Sequence, residues 1–255
     1  MTETPSLDIY YFPTPNGRKI AILLEELGLS YNLKIVHIGQ GEQFHPDFLR
    51  ISPNNRMPVL VDHAPKGGGA PVSVFESGAI MMYLAEKAGR FWPQDVHKKY
   101  DVAQWVFWQM GNQGPKMGEH GHFHRADAEN KHGDLSYPLR RFDNEVDRLY
   151  GVLNLGLFEK DWLAAGEYSI ADMICYPWAA LWKDRTSVDI SAFPYVQRWL
   201  EKLSQRPAMH KALEIGKDLY QGPDKLTPED REKFAKILAN QRAVPIPEAW
   251  RQKKA

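Results

Sequence analysis

A strand followed by a tight turn is predicted by the sequence Leu7-Asp-Ile-Tyr-Tyr-Phe-Pro-Thr-Pro-Asn-Gly17. Its first half is rich in β-branched and aromatic residues, and its second half is a cluster of turn formers. From Lys19 to Leu27 the apolar residues recur at helical spacing, and Gly28 is a suitable C-cap. A second strand is predicted over 31–37. Together these elements match a right-handed βαβ crossover unit.

Two more strands and a helix complete this first domain. The strands are predicted over 57–62 and 71–75, with the turn-forming sequence Ala64-Pro-Lys-Gly-Gly-Gly69 between them. The helix is predicted over 76–88. The order βαβ, irregular segment, ββα is typical of a thioredoxin-like α/β domain, for which we predict the boundaries 1–92.

Beyond this domain the strand signals largely disappear and helical patterns replace them. Apolar residues in 137–158 step by three or four, which predicts an amphipathic helix. The sequence Ser169-Ile-Ala-Asp172 fits a capping box ahead of an apolar run over 173–182, so we expect a buried central helix there, kinked at Pro177. We therefore predict an all-helical second domain over 98–215 and, because the pattern then turns polar, an accessory extension over 216–255.

Composition and charge narrow the function classes. The 255 residues carry 32 Lys+Arg and 32 Asp+Glu, so no positive excess indicates a nucleic-acid partner. No stretch approaches the roughly 18 apolar residues of a membrane span, and the amino-terminal residues lack a signal-peptide pattern, which predicts a cytoplasmic protein without a membrane partner. Cys175 is the only cysteine and falls in the predicted buried helix. An internal disulfide is therefore impossible, and dithiol chemistry would need sulfur from outside the chain.

Several segments together resemble a known family. They are Asn54-Asn-Arg-Met-Pro-Val-Leu60, Phe75-Glu-Ser-Gly-Ala-Ile80 and Tyr168-Ser-Ile-Ala-Asp172. With the order of elements, they resemble the glutathione S-transferases from about residue 7 to residue 213. The segments Pro13-Thr-Pro-Asn-Gly17, Gly39-Gln-Gly-Glu-Gln-Phe44 and Ile51-Ser-Pro-Asn-Asn55 narrow the resemblance to the bacterial Nu class and its fungal nitrogen-regulator relatives. The resemblance implies the glutathione transferase architecture, glutathione as co-substrate and a homodimer.

A glutathione enzyme must favour the thiolate, because a free thiol with a pKa of about 8.5 is mostly protonated at pH 7. A hydroxyl or amide donor at the start of the first helix would be sufficient, since one hydrogen bond to an ion contributes about 1.5 to 3 kcal/mol. Thr14 and Asn16 lie in that turn, and the Nu-class resemblance implies that they are the catalytic residues. Two alternatives stay open: the turn is simply a helix start with Asn16 as N-cap, or Tyr11 is catalytic, as in other transferase classes.

The resemblance also implies a set of glutathione contacts in the first domain. Met57-Pro58 is the position of a cis proline, whose preceding residue pairs with the backbone of the glutathione cysteine. Ser77 would hold the γ-glutamyl carboxylate at a helix start, and Glu76 would hold the ammonium group. From the sequence alone, Met57-Pro58 would be an ordinary strand start and Glu76-Ser77 a helix cap.

Further glutathione contacts are implied at Asn16, at Gln43 in the Gly-rich loop, and at Arg141 on a helix of the second domain. Arg140 is the alternative to Arg141. Without the resemblance, Gln43 would be read as solvated loop and Arg141 as a solvated surface charge.

The sequence Glu119-His-Gly-His-Phe-His124 invites a metal interpretation, because three histidines at alternate positions could converge in an extended segment. The stretch lacks the helical spacing of metal ligands and follows several Gly and Pro residues. We therefore predict a flexible loop at the mouth of the active site and no metal.

These observations predict glutathione-dependent reduction of small disulfides, with two glutathione moieties bound as thiols or as oxidised glutathione. The absence of a CxxC motif agrees, since Pro15-Asn-Gly-Arg18 occupies its place. The alternative reactions are conjugation of glutathione to an electrophile and reduction of an organic hydroperoxide. A non-catalytic, glutathione-binding regulatory module is the alternative outside enzymes. The joint presence of the candidate residues argues against that module; they are Thr14, Asn16, Gln43, Glu76 and Ser77.

Overall fold

The computed structural model describes residues 5–130, 132–186, 188–219, 227–239 and 241–251. Its strands are β1 Leu7–Tyr11, β2 Asn32–Ile35, β3 Val59–Asp62 and β4 Val72–Phe75. They form one mixed sheet in the order β2-β1-β3-β4. β1 pairs parallel with β2 and antiparallel with β3, which pairs antiparallel with β4. This is the topology expected of a thioredoxin-like domain, and the predicted fold class is confirmed.

The helices are numbered along the chain. They are α1 Pro15–Leu27, α2 Pro46–Ile51, α3 Ser77–Ala88, α4 Val96–Trp108, α5 Gly114–Ala128, α6 Ser136–Gly156, α7 Ile170–Ala179, α8 Trp182–Arg185, α9 Pro194–Ser204, α10 Pro207–Glu214, α11 Pro228–Ala239 and α12 Glu248–Arg251. Short 3-10 turns cover Glu42–Phe44, Ile190–Ala192 and Lys217–Leu219, and a π-helical turn, Gln109–Gln113, links α4 to α5.

The chain divides into two compact units. The first unit takes in Met1–Gly17, Ser30–Glu76 and Gly216–Ala255 and contains the sheet, and the second takes in Arg18–Leu29 and Ser77–Ile215 and is helical. The division thus falls inside α1, after its first turn. The boundaries 1–92, 98–215 and 216–255 stay a prediction.

The core of the first unit lies on the sheet. The burial of β1 alternates along the strand, as a half-buried strand requires. A cluster of buried apolar side chains contains Phe12 and Met57, and Leu219 packs against that cluster. The Arg50 guanidinium lies 4.8 Å from the centre of the Trp250 ring. The described part of the extension after residue 215 therefore packs on the thioredoxin-like unit.

Helix α7 is the central helix of the second unit. Its start has the predicted capping box: the Ser169 hydroxyl caps the first turn, and the Asp172 carboxylate accepts from the Ser169 backbone N–H. All but one of its residues are buried, and Pro177 lies within it. The Tyr150 hydroxyl donates to the carbonyl of Ala179 at 2.7 Å. The buried central helix is confirmed, although it begins at Ile170 and ends before the predicted residue 182.

The prediction of a flexible loop over 119–124 is wrong, because this segment lies inside α5. The glycines of α5 are helical positions and not a turn: a Cβ atom on Gly118 would make only ordinary contact with the Trp178 ring at 3.7 Å, whereas one on Gly114 would lie 3.0 Å from the Gln109 amide. Helix α6 packs alongside, with the rings of Phe123 and Phe142 stacked at 5.4 Å. Tertiary packing therefore overrides the low helix propensity of the segment.

The second strand is also shorter than predicted, covering Asn32–Ile35 rather than 31–37.

Within the described ranges, no helix combines the length and the apolar character needed to span a membrane.

Candidate active site

The first turn of α1 is shaped by Thr14. Its hydroxyl oxygen accepts a hydrogen bond from the Gly17 N–H at 3.2 Å, so the Thr14 side chain caps the helix. The same hydroxyl faces the sulfur of Met57 at 4.0 Å. Because the Thr14 oxygen accepts the hydrogen bond from Gly17, the proton of the same hydroxyl is available for donation to a sulfur. Asn16 lies half-buried in the same turn.

Gly17 is the residue that brings this turn close to the end of β1. A Cβ atom there would overlap the carbonyl oxygen of Phe12 and lie 3.0 Å from the Tyr11 ring. The Tyr11 ring is fully buried, and a Cβ atom on Gly216 would lie 3.2 Å from it. Tyr11 is thus enclosed by the turn and by the start of the carboxy-terminal extension.

The peptide bond between Met57 and Pro58 is cis, as the family resemblance implied. Met57 is buried in the cluster that includes Phe12 and precedes β3. Thr14, Asn16, Met57 and Pro58 all belong to the first unit. The structure brings Thr14 and Met57 into direct contact.

Glu76 has an unusual backbone. Its φ of 72° lies in the left-handed region, which non-glycine residues occupy at a cost and which is enriched at functional sites. Its exposed carboxylate accepts a hydrogen bond from the Asn54 amide at 3.1 Å. Asn54 belongs to the Asn54-Asn-Arg-Met-Pro stretch that carries the family resemblance, but no sequence pattern predicts a role for it.

Ser77 begins α3 and is buried. Its hydroxyl donates toward the sulfur of Met110 at 3.2 Å and accepts from the ammonium group of Lys19 at 3.1 Å. Lys19 also donates to the Gln109 side-chain oxygen at 2.5 Å and is buried almost completely. A buried ammonium group needs such acceptors to offset its desolvation.

Lys19 and Gln109 were not predicted as site residues from the sequence. The available signals were a lysine directly before an unbroken apolar run, Ile20–Leu24, and a glutamine in an amphipathic pattern. Neither signal identifies the residues that Lys19 contacts, because these residues come close to Lys19 only in the folded chain.

Gln43 and Arg141 have partners within the protein. The Gln43 amide is buried and donates to the carbonyl of Ile38 at 3.2 Å, which fixes the Gly-rich loop. Arg141 lies on α6, half-exposed, with its guanidinium 3.5 Å from the Glu145 carboxylate. Arg148 contacts the same carboxylate at 2.8 Å, and its hydrogen bond is the main reason that the pKa of Glu145 is lowered.

Cys175 is fully buried in α7. Burial raises the pKa of its thiol well above the usual value. A protonated, inaccessible thiol is a poor nucleophile, so the geometry gives this cysteine the character of a small core residue.

Comparison with known proteins identifies the class. Residues 5–86 match the family model of the glutathione S-transferase N-terminal domain, and residues 121–207 match that of the C-terminal domain. The chain therefore belongs to the glutathione S-transferase family.

The chain is 46% identical over 207 residues to the disulfide-bond oxidoreductase YfcG of Escherichia coli K12, which covers 81% of this chain and 94% of that protein. A glutathione transferase family member from Pseudomonas fluorescens, with two glutathione bound, is similar with a TM-score of 0.77 and 38% identity over 84% of this chain and 95% of that one. A Pseudomonas putida glutathione transferase with one glutathione disulfide bound per subunit has a TM-score of 0.77 and 39% identity. The match covers 84% of this chain and 94% of that one.

Proposed function

We propose that this glutathione transferase reduces small disulfides, using glutathione as the source of both thiols. The observation that carries the proposal is the state of Cys175: the only cysteine of the chain is buried, so the chain itself offers no thiol for the reaction. The similarity to a disulfide-bond oxidoreductase, and to structures that hold two glutathione molecules or one glutathione disulfide, supports the same reaction.

The proposed reaction balances with two glutathione molecules. The first glutathione thiolate attacks one sulfur of the substrate disulfide, forming a mixed disulfide and releasing one substrate thiolate, which takes up a proton. The second glutathione thiolate then attacks the glutathione sulfur of the mixed disulfide, which yields glutathione disulfide and the second substrate thiol. The substrate is reduced by two electrons and two glutathiones are oxidised.

Thr14 and Asn16 are the residues we propose for stabilising the attacking thiolate. Lowering a thiol pKa by about 1.5 units requires about 2 kcal/mol of preference for the anion. One hydrogen bond to an ion contributes about 1.5 to 3 kcal/mol, and a helix N-terminus about 0.3 to 1 kcal/mol. The contact of the Thr14 hydroxyl with the Met57 sulfur supports its role as a donor to sulfur.

The γ-glutamyl group is proposed to bind at the start of α3. The left-handed backbone of Glu76 and the Asn54 amide on its carboxylate support Glu76 as partner of the ligand ammonium group. The Lys19 ammonium group beside the Ser77 hydroxyl supports Ser77 as partner of the carboxylate, because it adds positive charge there. Backbone contacts at Met57-Pro58 and side-chain contacts from Asn16, Gln43 and Arg141 complete the proposal; the last two would first have to leave the partners they have now.

Ser77→Ala should weaken glutathione binding by about 10- to 150-fold, because a hydrogen bond to a charged group contributes about 1.5 to 3 kcal/mol. Isothermal titration calorimetry measures the affinity, and Ser73→Ala, an exposed serine on β4, is the matched control. Cysteinylglycine lacks the γ-glutamyl group and should bind Ser77→Ala and the wild type equally. An equal loss for both ligands would contradict the assignment.

Equilibrium glutathione binding combined with turnover of a small disulfide separates the candidate functions. Disulfide reductase activity requires both. Turnover confined to an electrophile or a hydroperoxide would favour the other reactions, and binding without any turnover would favour a regulatory module.

We further propose a cytoplasmic homodimer, as the family resemblance and the sequence implied. Sedimentation at micromolar concentration should give about twice the chain mass of 29.3 kDa, and a species of the single-chain mass would contradict the dimer.

A further inference from the structure

A cluster of two histidines and one aspartate, none of them proposed for catalysis, lies between α5 and α6. His120 and His124 are four residues apart on α5, so their rings lie on the same face of the helix. Both Nε2 atoms point at the same oxygen of Asp143 on α6, at 2.9 Å for His120 and 2.8 Å for His124. The two rings are 4.3 Å apart.

The three potential ligand atoms all lie within 4.8 Å of one another. Imidazole nitrogens and carboxylate oxygens bind Zn²⁺ at about 2.0 to 2.2 Å, so two ligands of a tetrahedral ion are about 3.4 Å apart. The two nitrogen-to-oxygen distances would have to open by about 0.5 Å to admit such an ion. Side-chain rotation can supply that movement without any change in the helices.

The neighbouring residues hold the two helices in register for this site. Phe123, next to His124, stacks on Phe142, next to Asp143, with an angle of 21° between the rings. This stack fixes the position of α5 against α6 at the level of the cluster. The ligand atoms are thus brought together by the fold before any ion binds, which reduces the cost of ordering them.

The exposed fraction of the side chain increases from His120 through Asp143 to His124. The side chain of His120 is 3% exposed, whereas those of Asp143 and His124 are 35% and 44% exposed. The inner end is therefore closed by protein and the outer side is open to solvent. Three protein ligands with one open side are the arrangement in which water completes the coordination of an ion.

We propose that His120, His124 and Asp143 bind a divalent transition-metal ion of the zinc class. Two neutral imidazoles and one carboxylate suit Zn²⁺ and its neighbours, whereas Mg²⁺ and Ca²⁺ prefer oxygen ligands. The ion would join α5 to α6 within the helical unit. This proposal replaces the expectation of no metal, which rested on a loop where the structure has a helix.

The test is zinc binding by the untagged full chain after removal of metal by dialysis. Wild-type protein should bind one Zn²⁺ per chain in the micromolar range or tighter, with a rise in melting temperature. His124→Gln and Asp143→Asn, both at the open side, should each weaken binding by about 100-fold or more and abolish that rise, since even the loss of an outer partner of a ligand costs about 10- to 100-fold.

His122→Gln is the matched control, because His122 lies on the same helix between the two ligands but outside the cluster. It should bind Zn²⁺ as the wild type does. Co²⁺ bound to the wild type should show visible absorption that His124→Gln lacks. Equal zinc affinity in the wild type, His124→Gln and Asp143→Asn would overturn the proposal, and so would folded wild-type protein that binds no Zn²⁺, which would leave a hydrogen-bonded histidine pair only.

Discussion

Thr14→Ala and Asn16→Ala should each lower kcat/KM for disulfide reduction by about 5- to 150-fold, equivalent to about 1 to 3 kcal/mol of transition-state stabilisation. Each should also raise the pKa of the bound glutathione thiol. The physical reason is the loss of one donor to a sulfur that carries negative charge in the reactive state. Ultraviolet absorbance of the bound thiolate against pH measures the pKa, and turnover measures the rate.

Two variants act as controls for this first turn. Thr14→Ser keeps the hydroxyl that caps α1 and is proposed to donate to the thiolate, so it should retain most of the activity, which shows whether the loss in Thr14→Ala comes from the hydroxyl or from the methyl group. Tyr11→Phe removes only a hydroxyl from a fully buried ring and should have little effect. If Tyr11→Phe raises the thiol pKa and the other variants do not, the catalytic residue is the tyrosine.

Asp172→Ala should destabilise the protein by about 3 to 5 kcal/mol, because its buried carboxylate is an acceptor for several N–H groups, each costing about 1 to 3 kcal/mol when left unpaired. Its oxygens accept from the backbone of Leu163 at 3.0 Å and of Ser169 at 3.1 Å, and from the Trp199 ring at 2.9 Å. Urea unfolding measures the loss. Asp189→Ala, an exposed cap of a 3-10 turn, should cost only about 1 kcal/mol.

The pH dependence of stability gives a second test of Asp172. Burial raises the pKa of this carboxyl from 3.8 to about 6, and the N–H donors oppose the rise without cancelling it. The native state therefore holds this proton where the unfolded chain has released it, so the contribution to stability is lost as the pH rises through 6. The wild type should gain stability relative to Asp172→Asn between pH 7 and pH 5, and a constant difference over that range would contradict the raised pKa.

The sequence was most informative where the determining interactions are local. The capping box at Ser169 depends on neighbouring residues and was predicted correctly, whereas the turn predicted over Pro13–Gly17 is shorter, because α1 already begins at Pro15. The cis bond at Pro58 followed only from the family resemblance, because most proline peptide bonds in folded proteins are trans.

Long-range packing explains what the sequence did not show. The partners of Lys19 lie 58 and 90 residues away along the chain, so no local pattern could reveal them. The glycines around Glu119–His124 predict a loop, whereas the structure has Gly114, Gly118 and Gly121 inside α5, which packs along α6. That error also hid the helical spacing of His120 and His124.

The most direct test of the proposed reaction is glutathione-dependent turnover of a small disulfide by Cys175→Ser, a variant that contains no cysteine. Placing a hydroxyl in this apolar position should cost about 1 to 3 kcal/mol of stability, so folding and glutathione affinity are measured alongside. We expect kcat/KM within about twofold of the wild type, because all reacting sulfur belongs to glutathione and the substrate. Loss of turnover in a folded variant that still binds glutathione would show that the protein thiol takes part and would contradict the proposal.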